Sequence, residues 1–185
     1  MGIPSGYTSA QVVQAVPVIT TSGLVCVKAE TTFSAATSVT ADSVFTSTYR
    51  NYLVQLQAVT SAGDLLIKFR AGGTATSTGY NKQELLATGS SSQFTKATNQ
   101  TSLNIGGTGG TFYNLFDIIV YAPQITQPTV LAITAVKPVS DYADMYVGFY
   151  DCVQTSSTAF DGIEFSTAVG TITGTYQIYG YSKTV

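Results

Sequence analysis

What most constrains this chain is a period of two. In "YRNYLVQLQAVT", Tyr52, Val54, Leu56 and Ala58 fall on one side, with Gln55 and Gln57 on the other. In "LLIKFRA", Leu65, Ile67 and Phe69 oppose Lys68 and Arg70, and in "PTVLAITAVKP", Leu131, Ile133 and Ala135 share a side. The closing stretch, "GTITGTYQIYGYSKTV", sets Ile172, Tyr176 and Ile178 against Thr173, Thr175, Gln177, Tyr179 and Tyr181. Side chains alternate across a strand, so such segments read as half-buried β-strands. About eight of them, with turn signals every ten residues or so, predict an all-β fold: an antiparallel, jelly-roll-like β-sandwich. A chain of 185 residues suits one domain of this kind, spanning residues 23–185. The close spacing of "YRNYLVQLQAVT" and "LLIKFRA" predicts an antiparallel hairpin.

Two regions break the pattern. "GYTSAQVVQAVP" predicts one short helix: Thr8 as N-cap, Gln11 as its capping-box partner, Tyr7 and Val12 as a staple, and Pro17 as the stop. Val12, Val13 and Val16 leave an apolar stripe on a helix too short to persist alone. Residues 1–22 therefore read as an anchor segment that lies on its own sheet or docks on another subunit. Residues 72–110 are rich in Gly, Ser, Thr and Asn and read as a long irregular excursion. Within it, Tyr80, Asn81 and Gln83 form an aromatic and amide set of the kind that contacts a glycan, or an ordinary loop.

Several strands are apolar on both sides. Phe112, Phe116, Ile118 and Val120 oppose Tyr113, Leu115, Ile119 and Tyr121, and Met145, Val147 and Phe149 oppose Tyr146, Tyr150 and Cys152. Tyr113, Tyr121, Tyr146, Tyr150, Tyr179 and Tyr181 are expected on the outside, where tyrosine offers a large rigid contact and a hydroxyl for a wet rim. Either a second copy covers them or the chain's own N-terminal segment and excursion do. The charged fraction is 10% and the net charge −2, so little repulsion keeps copies apart. The same balance offers no footprint for nucleic acid or an anionic membrane. No apolar run reaches membrane-spanning length, and "MGIPSGYTSAQ" lacks the features of a secretory signal.

Catalytic equipment is sparse. Histidine is absent, which removes the usual general base and metal ligand. No nucleophile elbow, P-loop or dinucleotide fingerprint occurs, and "GGTGG" (106–110) reads as a turn. Asp141 and Asp144 bracket a turn without a calcium-loop run of ligands. Neither an enzyme nor a cofactor or metal site is expected. Cys26 and Cys152 lie in apolar runs and read as two buried thiols or as one disulfide.

"IPSGYTSAQVVQAVP", "FTSTYRNYLVQLQAV" and the ending "GTITGTYQIYGYSKT" together resemble bacteriophage virion proteins, β-rich modules attached to heads or tails. In that group the closing strand has a G-T-I-x-G-T-x-x-V-Y-G-Y form, matched here from Gly170 to Tyr181 with Ile178 at the usual valine. The resemblance implies a virion location and a capsid decoration (cement) protein or short head or tail fibre component. It also implies a homo-oligomer, commonly a homotrimer, held to major capsid or tail proteins by the anchor residues Tyr7, Val12, Val13 and Val16. A receptor-binding adhesin that takes a host surface glycan is the alternative it allows.

Overall fold

A computed structural model describes residues 23–107, 110–138 and 145–182; the expected helix, its anchor residues and the Asp141–Asp144 turn lie outside them. The described chain is all-β, with thirteen antiparallel strands in two sheets and no helix among the described residues. They are β1 (Leu24–Ala36), β2 (Ser38–Ala41), β3 (Asn51–Thr60), β4 (Leu65–Ala71), β5 (Thr74–Ala75), β6 (Tyr80–Ala87) and β7 (Ser92–Gln100). There follow β8 (Leu103–Asn104), β9 (Asn114–Tyr121), β10 (Thr129–Pro138), β11 (Met145–Gln154), β12 (Gly162–Thr167) and β13 (Ile172–Tyr181). The large sheet has the order β1-β13-β3-β9-β10-β11-β6-β7; the small one runs β2-β12-β4-β5, with β8 also on β4.

The core lies between the sheets. Tyr52, Val54, Leu56, Ile118, Val120, Leu131, Ile133 and Ile178 come from the large sheet; Leu65, Ile67, Phe69, Ile163 and Phe165 come from the small one. The alternation of β3, β4, β9, β10, β12 and β13 reads correctly from sequence because each has one face in this core. Phe165 of the small sheet lies 5.6 Å from Tyr176 of the large one between centroids, and Phe69 stacks at 4.9 Å on Phe160, which stands just ahead of β12. Tyr52 keeps its hydroxyl satisfied at full burial by accepting from the Thr46 N–H at 2.6 Å and donating to the Thr46 carbonyl at 2.7 Å.

Three expectations are corrected. The strand count is thirteen, because Ser38–Ala41 form β2 and residues 72–110 are not an irregular excursion: they supply β5 to β8, and β6 and β7 extend the large sheet to its edge. β7 is exposed along nearly all of its length, so no buried face imprints an apolar alternation on it. Second, β3 and β4 do not form a hairpin. β3 pairs with β13 and β9, β4 with β12, β5 and β8, and the connection crosses from one sheet to the other. Gly63, at φ 73°, shapes that crossing, and the Thr60 hydroxyl donates to its carbonyl at 2.8 Å. Both strands present apolar faces to one core, so their patterns are the same in either arrangement.

Third, Cys26 is not buried: both cysteines are free thiols, as the first of the two readings has it, but only Cys152 is buried and Cys26 is exposed. β1 and β11 stand five strand positions apart in the sheet, about 24 Å at the usual spacing. A disulfide needs Cα atoms within about 7 Å.

Candidate interaction face

The small sheet covers only one face of the large one, and the other is the candidate site. Its side chains fall into rows fixed by register. One row crosses β13, β3, β9, β10 and β11 as Gln177, Gln55, Asp117, Thr134 and Phe149. Leu85 of β6 and Phe94 of β7 continue it to the sheet edge. The next row reads Thr175, Gln57, Leu115, Val136, Val147 and Ala87. On the other side lie Tyr179, Leu53, Ile119, Ala132 and Asp151.

The β9-to-β7 half of this face is apolar and open. Leu115 is 48% exposed, Met145 49%, Phe149 50% and Phe94 77%, with Val136 and Val147 close behind. Isolated exposed apolar side chains are ordinary; several adjacent strands of them mark an interface. The β1-to-β9 half is polar. There the Gln177 amide donates to Gln55 Oε1 at 2.8 Å, and the Gln55 amide donates to Asp117 Oδ1 at 3.2 Å.

Of the tyrosines expected on this face, Tyr121, Tyr179 and Tyr181 are present, Tyr121 exposed and the others half-buried. Tyr113 is exposed just ahead of β9. Tyr146 and Tyr150 are corrected. On β11 the outward side chains are Met145, Val147 and Phe149, so Tyr146 and Tyr150 project to the opposite side and Tyr150 is 1% exposed. The physical reason is local. Gly148, at the same inward phase, leaves the space the Tyr150 ring fills: a Cβ there would be 2.8 Å from it. The alternation on β11 was legible but not its sense, because both of its faces are apolar.

Tyr150 belongs to an internal polar cluster that the sequence did not reveal. Lys137, 6% exposed, donates through Nζ to the Ile105 carbonyl at 2.6 Å and to the Tyr150 hydroxyl, and lies over the Tyr150 ring. Lys82 donates to Glu84 at 2.8 Å and to the Asn104 carbonyl at 2.6 Å. Burial pushes Lys137 down to about 8, only partly offset by Glu84, and it raises the Tyr150 hydroxyl and the Cys152 thiol, the latter to about 12. Lys82 is paired with Glu84, and Lys137 is held by two neutral oxygens, the Ile105 carbonyl and the Tyr150 hydroxyl, as buried polar groups must be. The cluster supports the fold.

The Tyr80, Asn81 and Gln83 set is also corrected as a glycan contact. Tyr80 is wholly buried: its hydroxyl accepts from the Phe69 N–H at 2.8 Å and donates to the Thr76 carbonyl at 3.1 Å. Asn81 and Gln83 alternate to the other side, where Asn81 Oδ1 accepts from the Asn99 N–H at 2.7 Å and Gln83 faces Asp151. No group of His, Cys, Asp or Glu among the described residues is arranged to hold a metal ion. No protein-family model, curated protein or solved structure matches this chain.

Proposed function

We propose that this protein is a non-enzymatic structural component of a bacteriophage virion, a capsid decoration protein or a short head or tail fibre part. In this reading copies associate through the apolar half of the large sheet's outer face. The observation that carries self-association is the set Val136, Met145, Val147, Phe149 and Phe94, exposed together on adjacent strands. A second copy suits this surface better than a charged partner would. Leu85, Ala87, Val136, Val147 and Phe149 offer no group to pair with a charge, whereas an identical apolar face interdigitates with them as packed sheets do. A net charge of −2 leaves little long-range repulsion between copies.

The virion assignment rests on the resemblance carried by the N-terminal segment, the β3 region and the closing strand. It favours a jelly-roll-like sandwich in a homotrimer, with residues 1–22 joining major capsid or tail proteins. Repetition on a symmetric particle then strengthens individually weak contacts through effective concentration. The test is the double variant Val147→Ser with Phe149→Ser in the full chain. Both side chains are surface groups of the monomer, so the expected product is folded by circular dichroism and monomeric by sedimentation. An oligomer mass equal to that of the unaltered protein would reject this half-face as the contact.

A further inference from the structure

We infer that the polar half of the same face is a binding site for an uncharged, hydroxyl-rich ligand, a linear saccharide laid across the strands. This goes beyond self-association and stands on a different polar set, with Leu115 and Val136 on the border between the two halves. A hollow of about 400 Å³ lies over β1, β13, β3, β9 and β10, within the range of small-ligand clefts. Its polar lining is Glu30, Gln55, Gln57, Asp117, Thr175 and Gln177, with Thr134 at the β10 end. Glu30 arrives through irregular pairing: four residues of β1, from Lys28 to Thr31, stand against three of β13, from Ile178 to Tyr176. A bulge of this kind re-aims side chains.

The amides in this hollow are oriented. Gln177 donates to Gln55 and Gln55 donates to Asp117, so the relay has one direction and ends on a carboxylate. Each amide has two N–H groups and a carbonyl with two lone pairs. The relay therefore leaves an N–H on Gln177 and on Gln55, the Gln177 carbonyl and the second Asp117 oxygen for a ligand. Donors and acceptors alternate along a row that runs perpendicular to the strands. From Gln177 to Thr134 it crosses three strand gaps, about 14 Å. That length suits a short oligosaccharide.

The mixture selects the ligand class. An anion would be repelled by Asp117 and Glu30. An ammonium group has only donors and would leave the amide N–H groups without acceptors. A saccharide hydroxyl both donates and accepts, and the C–H face of a sugar ring can rest on Leu115 and Val136, which pair across β9 and β10 beside the relay.

The experiment uses the full chain and, in parallel, its Val147→Ser/Phe149→Ser variant, so that loss of self-association and loss of ligand are read separately. Both are applied to an array of neutral and anionic oligosaccharides. The expected result is that both bind a neutral linear glycan. Gln177→Leu should weaken binding about fivefold and Asp117→Leu about ten- to hundredfold, the worth of one hydrogen bond to a neutral and to a charged partner. Thermal midpoint and oligomer mass should stay unchanged. If Asp117→Leu does not fold, Gln177→Leu, on a half-exposed side chain, decides alone. Binding confined to anionic glycans, binding to none, or affinity indifferent to these substitutions would overturn the assignment.

Discussion

At the scale of single residues, the glycines of the closing strand show why "GTITGTYQIYGY" has its form. Gly174 and Gly180 both occupy core-facing positions of β13. A Cβ at Gly174 would collide with the Gln57 carbonyl, and one at Gly180 would enter the Tyr49 ring, which lies on the bare backbone there. Gly180→Ala should therefore destabilise the protein by about 1–3 kcal/mol, the usual range for forcing a methyl into a packed site, read as a lower urea midpoint. A variant as stable as the parent would mean that Tyr49 moves aside freely. Lys137 sets a second expectation. Its folded value is about 8 against an ordinary 10.5, so the unfolded chain binds more protons between those values and stability should rise with pH from about 8. The Cys152 thiol, held at about 12 against 9.0, and the raised Tyr80 and Tyr150 hydroxyls act oppositely above about 9 to 10. A maximum near pH 9 is expected, and Lys137→Met should abolish the rising limb in denaturant titrations at several pH values. A rising limb that survives the substitution would assign it to another group.

Among the elements, β3, β9, β10 and β13 were legible because one face of each is in the core and the other carries Gln, Thr or Asp often enough to give a sense to the alternation. β11 was legible in period but not in direction, since Met145, Val147 and Phe149 are as apolar as the groups behind them. β7 was not legible at all, because a strand exposed on both sides needs no apolar residue beyond Phe94 and Ala97. The sheet assignment of β3 and β4 was hidden for another reason: alternation specifies burial, whereas the partner strand is chosen by where the connection leads. The candidate site was half visible. The closing-strand tyrosines and the β9 outer row could be read, but the relay of Gln177, Gln55 and Asp117 depends on register, and its members stand at least 60 positions apart along the chain. At this scale Phe94→Ser on β7 should change stability little, since the ring is 77% exposed, yet weaken self-association. Equal losses in both would show that Phe94 is part of the fold instead.

For the whole molecule, we propose that a face divided into apolar and polar halves lets one copy meet another while an oriented row of amides stays open beside the contact. The charged fraction of 10% fits such a surface, since repeated close packing of copies is easier where charge is sparse. The measurement that reaches this account most directly is sedimentation equilibrium of the unaltered full chain over a wide concentration range. A discrete multiple of the 19.4 kDa chain, persisting on dilution and reduced to one chain by Val147→Ser with Phe149→Ser, is expected. A single-chain mass at every concentration would contradict it.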